Sequence, residues 1–401
     1  MKKSYALFAI LMVASLVLAA CASPSAAATQ VVTVPVEVTK LVAGTPQTIT
    51  QVITATPEKK AATAAPGSVQ LNGAGATFPL PVYTEWIYAY QYVDPSVTLN
   101  YQGIGSGGGK KGIIDNTIDF AGSDSLLKDD EYQKGGDLQM YPVLAGAVVP
   151  IYNIEGITAT ITLDRAALVG IYNATIKKWN DPVITKLNPD LAKKLPDKTI
   201  TAVHRSDGSG TTEIFTNALA AFDDGWKKSP GAGASIEWPV DKTGSGVGGK
   251  GNQGVAAAVQ NTPNSIGYVE LSYAISNKIP FAKMVNKAGT AVTANAQSLV
   301  AAMKDFANSF DARLTTRIVD GGGKDSWPIS GYTYIILHTT TMKDCTKAQK
   351  LLQFLSWALT DPAAGKRAAE LGYSVLPDAV RTSVLARLGE VTCSGTAVLS
   401  K

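Results

Sequence analysis

Three times along the chain an extended apolar run ends in a turn of small residues and passes straight into an amphipathic helical pattern. The first run is Val69-Gln70-Leu71-Asn72, followed by Gly73-Ala74-Gly75-Ala76-Thr77-Phe78-Pro79. Val82, Trp86 and Tyr90 then recur every four residues, which predicts one buried helical face. Pro79 and Pro81 fall in the first turn of that helix, where a missing N–H costs nothing. The second run, Val97 to Tyr101, meets Gly103-Ile104-Gly105-Ser106-Gly107-Gly108-Gly109 and then Ile113, Ile114, Thr117 and Ile118. The third, Thr199 to Val203, meets His204-Arg205-Ser206-Asp207-Gly208-Ser209-Gly210-Thr211-Thr212, after which Ile214, Phe215, Ala218, Leu219 and Phe222 form an apolar stripe. Alternation of strand and helix from residue 69 onward predicts an α/β fold.

The residues before that region follow a different pattern. Lys2 and Lys3 precede an uncharged run from Tyr5 to Ala20 that ends in small residues, as an export signal does. It closes on Leu18-Ala19-Ala20-Cys21, which resembles a bacterial lipobox and predicts a lipidated Cys21. Residues 22–68 are rich in Ala, Ser, Pro, Thr and Val, with no aromatic residue and five charges. Pro35 and Pro46 interrupt its strand-like stretches, and the segment reads as an unstructured tether rather than a small hairpin. As a random coil it would span roughly 35–40 Å.

Composition narrows the function. The 401 residues hold 36 Lys and Arg against 32 Asp and Glu, and residues 69–401 alone hold 31 against 30. That balance argues against a nucleic-acid binder. Two His and three scattered Cys leave no spacing for a metal site. In an exported setting Cys345 and Cys393 are candidates for a structural disulfide, although spacing alone does not bring their Cα atoms within range.

A small-residue turn that opens a helix presents several unpaired N–H groups in one direction, where the helix dipole adds about half a positive charge. Such an end is a ready anion site. The hydroxyls of Thr77, Ser106, Ser209 and Thr211 add donors that rotate to suit a ligand. Arg205 supplies a planar fork, and Asp207, two residues on, can fix its direction. Asp124, after Phe120-Ala121-Gly122-Ser123, reads in two ways: as an acceptor for a proton carried by the anion, or as the N-cap of a helix near Leu126 to Gln133. The first reading would separate phosphate, which keeps a proton at neutral pH, from sulfate, which does not. His204 alternates with Arg205 and points the other way along an extended strand, so a structural role is expected. His338 lies in the buried-strand pattern Tyr334 to His338 and is assigned no chemistry.

Competing motifs are weaker. Gly103 to Gly108 fits GxGxxG, but Asp119 and Asp124 fall short of the acidic position a dinucleotide site requires. GxxxxGK[ST] is absent, and Ser209 lacks the GxSxG frame of a hydrolase.

Taken in order, Gly73 to Pro79, Tyr101 to Ser106 and Arg205 to Thr211 closely resemble the periplasmic phosphate-binding proteins of phosphate-specific ABC transporters. The likeness continues through Ile176 to Asp181, Gly248 to Asn252, Ser265 to Glu270, Trp327-Pro328-Ile329 and Tyr373 to Pro377, and so covers nearly all of residues 69–401. It implies a two-lobed type II periplasmic-binding-protein fold with a ligand cleft between lobes, the first lobe formed by 69–148 and 321–401 and the second by 149–320. It also implies inorganic phosphate held by Thr77, Phe78, Ser106, Asp124, Arg205, Ser209, Gly210 and Thr211, with Asp207 orienting Arg205. No catalysis, cofactor or metal is expected, and the implied partner is a membrane permease of an ABC transporter. The implied location is the cell envelope, anchored by lipid on the outer face of the cytoplasmic membrane or in the periplasm. Gly107, Ser125-Leu126 and His204 depart from the usual family pattern, and Ala288 to Arg317 matches it poorly. An exported phosphatase, an adhesin or signalling lipoprotein on the same scaffold, and a sulfate or molybdate receptor are the rival readings.

Overall fold

The computed structural model describes residues 68–399 and, as backbone strands, β1 (Thr33–Val42) and β2 (Thr45–Thr54). Three parallel strands, β3 (Val69–Gly75), β4 (Val97–Gly103) and β5 (Phe120–Ser123), arise from the apolar runs, with β3 between the other two. The helices α1 (Leu80–Tyr90) and α2 (Ser106–Ile114) follow the first two. In α1, Val82, Trp86 and Tyr90 are buried on the expected face, and Pro81 sits in its first turn. The Trp86 indole N–H also finds a partner, the Ala364 carbonyl at 2.9 Å, so its burial leaves no polar atom stranded.

The centre of the large sheet is β6 (Leu138–Asn153), sixteen residues of which all but the last are buried. A strand this apolar on both faces belongs in the interior of an α/β sheet rather than on its surface. It pairs antiparallel with β10 (Ile329–His338) as far as Ala147, then with β9 (Ser265–Glu270) from Val148 onward. Between them in sequence lie β7 (Thr201–Arg205) with α3 (Gly210–Phe222), and β8 (Gly246–Gly249) with α4 (Gly251–Asn261). The strand order is β2-β1-β8-β7-β9-β6-β10-β5-β3-β4. Because β7 runs parallel to β9, and β9 and β10 both run antiparallel to β6, β7 points opposite to β3 and β4. These three strands, each feeding a helix, therefore send their C-terminal ends toward the middle of β6 from opposite directions. Carboxyl ends of strands are the usual place for ligands in α/β sheets.

The segment expected to be an unstructured tether, 21–68, contains β1 and β2, and β1 lies antiparallel to β8 with Val38 opposite Gly249. The runs of Thr, Val and Ile favour extended backbone, and Pro35 and Pro46 stand near the strand starts, where a missing ladder donor is tolerated. Cys21 lies outside the described residues. Cys345, the first residue of α5 (Cys345–Thr360), is bridged to Cys393 with a Cα–Cα distance of 5.5 Å. Among the described residues no helix is long and apolar enough to cross a membrane.

Candidate functional site

Arg205 is the last residue of β7 and is buried. Its Nε and Nη2 donate to the two carboxylate oxygens of Asp207 at 2.7 and 2.6 Å, and Nη1 donates to the Thr211 hydroxyl at 3.3 Å. Burial alone would raise the Asp207 pKa, but the Arg205 bonds and the Gly251 amide hold it below the ordinary carboxylate value. Asp207 thus stays charged and fixes the guanidinium in one direction.

Ser209 caps α3, its hydroxyl accepting from the Thr212 amide at 3.0 Å. The amides of the first turn open toward β5, where Asp124 follows the strand. Gly210 is required at this point, because a Cβ there would sit 2.5 Å from an Asp124 carboxylate oxygen. The Gly210 amide donates to Ser106 Oγ at 3.1 Å, and Ser106 Oγ lies 3.4 Å from Asp124 Oδ2. Gly105, with φ +87°, approaches Asp207 so closely that a Cβ would meet its Oδ2 at 2.3 Å.

Asp124 is buried, and its Oδ1 accepts from Thr333 at 2.7 Å. Thr333 reaches it from the point where the pairing of β10 with β6 shifts register, a bulge that re-aims the side chain. Burial pushes the Asp124 pKa up to about 7, against the lowering effects of the Thr333 bond, Arg205 and Ser106. The helix expected near Leu126 to Gln133 is Asp129–Gly135, with Lys128 at its N-cap. Asp124 therefore caps nothing, and its carboxylate faces Ser106 and Thr333 instead.

Thr77 lies across from these residues. Its hydroxyl accepts from the backbone amide and side-chain Nδ2 of Asn252, at 3.1 and 2.9 Å. The Thr77 carbonyl accepts from the Tyr273 hydroxyl at 2.5 Å, and the Phe78 carbonyl from the Tyr373 hydroxyl at 2.7 Å. The Phe78 ring is buried edge-on against Tyr373. Thr77, Phe78, Ser106, Asp124, Arg205, Asp207, Ser209, Gly210 and Thr211 thus come into one neighbourhood.

The two histidines stand outside it in function. His204 stacks on Trp238 and holds Asp241 through Nε2 at 2.8 Å, while His338 contacts Asp137 at 2.6 Å and the Ile113 carbonyl at 3.0 Å. Both are structural.

Several residues at the site escaped the sequence reading. Asn252 joins Thr77 to Thr211, donating to the Thr211 hydroxyl at 3.1 Å, and accepts from the Glu270 amide at 3.0 Å. Its turn, Gly248 to Asn252, is a fourth strand–glycine–helix junction; it lacks the hydroxyls that marked the others. Glu213, one turn into α3, accepts from the Leu126 amide and from Arg317, both at 3.4 Å. Glu270 is wholly buried, and burial pushes its pKa up to about 8. No periodicity distinguishes such a residue from an ordinary strand end.

What the arrangement can do follows from its donor set. Hydroxyls, a helix N-terminus and one oriented guanidinium converge here, and one carboxylate stands among them as an acceptor. This suits a small protonated oxyanion better than a bare one.

A family model described as the PBP superfamily domain matches residues 60–362. A relative named phosphate-binding protein PstS, from Pasteurella multocida, is 41% identical over 320 residues, covering 79% of this chain and 89% of its own. One of the same name from Xylella fastidiosa is 41% identical over 313 residues, covering 77% and 82%. Among solved structures, a phosphate-binding protein from Stenotrophomonas maltophilia superposes with a TM-score of 0.61 at 21% identity, covering 82% of this chain and 99% of that one. The last likeness speaks to the fold, which is a mixed α/β periplasmic-binding-protein fold.

Proposed function

The chain belongs to the PBP superfamily, among the phosphate-binding proteins, and from that premise we propose that it is an extracytoplasmic receptor that captures inorganic phosphate and hands it to an ABC permease. The relatives are named for binding phosphate, which supports binding rather than bond-breaking as the activity.

Phosphate occupies the space between Thr77, Phe78 and Ser106 on one side and Arg205 with the Ser209–Thr211 turn on the other. Arg205 supplies the formal charge, pre-oriented by Asp207. The amides of Phe78, Gly210 and Thr211 and the hydroxyls of Thr77, Ser106, Ser209 and Thr211 complete the donor set. Asp124 accepts the one proton that hydrogen phosphate retains, and meets sulfate as an uncompensated like charge. The observation that carries this reading is the convergence of an Asp207-fixed Arg205 and a buried Asp124 on one helix N-terminus.

The lobes are 69–148 with 321–401, and 149–320. The change of partner along β6 between Ala147 and Val148 supports that division. Contacts spanning the two, Gly210 to Ser106, Asn252 to Thr77 and the Gly107 amide to the Gly208 carbonyl at 3.0 Å, describe how closure brings the walls together. Cys21 carries the lipid that holds the protein at the membrane, with the signal peptide 1–20 removed.

Calorimetric titration of ligand-stripped protein with phosphate and then sulfate at pH 8.5, where Asp124 is ionised, tests the reading. One-to-one phosphate binding without a sulfate response is expected. Equal binding of both removes the role given to Asp124, and binding of neither overturns the receptor assignment.

A further inference from the structure

We propose that Glu270 is held as a neutral carboxylic acid and, through Ser272 and Tyr373, serves as a positioning residue that locks the Phe78 peptide in its ligand-binding place. The role given to Phe78 rests on the phosphate reading above; the protonation of Glu270 does not.

The case begins with counting protons. Tyr373 Oη lies 2.7 Å from the Phe78 carbonyl, 2.8 Å from Glu270 Oε2 and 3.1 Å from Ser272 Oγ, and Ser272 Oγ also contacts Glu270 Oε2. These are four close oxygen–oxygen contacts. The Phe78 carbonyl can only accept. With Glu270 ionised, the cluster has two hydroxyl protons, one on Ser272 and one on Tyr373, and two contacts face each other with lone pairs alone. The acid supplies a third proton. A directed chain then runs from Glu270 to Ser272, from Ser272 to Tyr373 and from Tyr373 to the Phe78 carbonyl, with a proton on each of these three contacts. Only the contact between Tyr373 and Glu270 Oε2 then lacks a proton, one contact instead of two.

Burial points the same way. Glu270 is 0% exposed, and its Oε1 is buried with no hydrogen-bond partner. Oε2 accepts from the Ser272 amide at 2.9 Å, but an ionised group would leave Oε1 as a bare buried anionic oxygen, which is costly, whereas a neutral carbonyl oxygen tolerates the position better. The titratable groups around it are Tyr373 from the turn after Leu371, Tyr273 from the helix that follows Glu270, and Asp124 from the end of β5; Arg205 acts on Tyr273 from β7. Asp124 opposes ionisation of Glu270, and burial is the largest cause raising its pKa, to about 8.

The geometry ties this acid to the site. The Glu270 backbone amide donates to Asn252 Oδ1, and Asn252 holds Thr77. The two carbonyls at Thr77 and Phe78 are gripped by Tyr273 and Tyr373 respectively. Ionisation would set Glu270 Oε2 and the Phe78 carbonyl in competition for the single Tyr373 proton, loosening one of the two grips.

Infrared difference spectra and phosphate titrations on the full chain, Glu270→Gln and Tyr373→Phe decide the matter. At pH 7 the ligand-free difference between the parent protein and Glu270→Gln should show a carboxylic-acid C=O band that disappears on alkalinisation through about pH 8. Absence of that band at pH 7 overturns the proposal. Between pH 7 and pH 9.5 the phosphate affinity of the parent should fall by roughly tenfold relative to Glu270→Gln, the size expected for one compromised buried hydrogen bond. Parallel profiles also overturn it. Tyr373→Phe should bind about tenfold more weakly already at pH 7 and lose the excess alkaline decline, even if Glu270→Gln does not fold; an unchanged decline would refute the relay. Loss of phosphate binding by all three proteins at every pH would sink the receptor reading, while the infrared band would still decide the state of Glu270.

Discussion

Arg205 and Asp207 form a two-point ion pair, with the guanidinium Nε and Nη2 meeting opposite carboxylate oxygens at 2.7 and 2.6 Å. The pair sits at the mouth of α3 and leaves Nη1 directed toward Thr211. A lysine keeps the charge but cannot match this fork. Arg205→Lys should therefore weaken phosphate binding by roughly 10- to 100-fold, the range for losing a charge-assisted hydrogen bond. Titration calorimetry on the variant checks it, and near-parental affinity would mean that net charge rather than direction matters.

On the phosphate reading, Asp124 should give selectivity a pH dependence. Its pKa is raised to about 7 by burial, so above neutrality the group is an anion and an acceptor, and below it a neutral acid that can donate. Sulfate, with no proton of its own, needs a donor at that position. At pH 8.5 the preference for phosphate should be at least about 10³-fold, and acidification to pH 5.5 should reduce it by an order of magnitude or more as sulfate begins to bind. Competition titrations at both pH values measure the ratio. A ratio independent of pH would show that Asp124 does not discriminate.

Asn252 connects three positions with one side chain: Thr77, Thr211 and the amide of Glu270. Removing it leaves buried polar groups unpaired at a cost of about 1–3 kcal/mol. Asn252→Ala should bind phosphate at least about fivefold more weakly. The comparison with Asn217→Ala, a substitution on α3 with the partly exposed Asn217 bonded within its own helix, separates this effect from general loss of an amide. Equal affinities for both variants would count against a bridging role.

The Cys345–Cys393 bridge closes a sequence separation of 48 residues. Its chain-entropy contribution is about 4 kcal/mol. A double Cys→Ser variant should melt at a clearly lower temperature yet keep phosphate affinity within about twofold, since neither sulfur approaches the site residues. Calorimetric melting with a parallel titration tests both halves, and a large affinity loss at unchanged stability would contradict the structural assignment.

Much of this architecture was legible in the sequence. Helical periodicity marked the buried faces at Val82, Trp86 and Tyr90, and at Ile214, Phe215, Ala218 and Leu219. Hydroxyl-bearing glycine turns marked Thr77, Ser106 and the Ser209–Thr211 corner. Asn252 stayed hidden because its turn carries no hydroxyl and resembles a plain connection. Thr333 stayed hidden because only a register shift between strands directs it at Asp124. Glu213, Arg317 and Glu270 gain their meaning from residues more than 80 positions away, a distance over which local pattern carries no signal. The strands in 33–54 were obscured by their two prolines, which usually mark a break rather than an edge.

The change of partner along β6 has a consequence for ancestry. A single strand contributes its first ten residues to one half of the sheet and its last six to the other. Neither half stands alone without severing that strand, so cutting the chain at residue 147 would leave each product with an unpaired sheet edge. On the phosphate reading, a new anion preference is expected from substitutions at the turns, such as those around Asp124 or Gly210, which leave that strand whole.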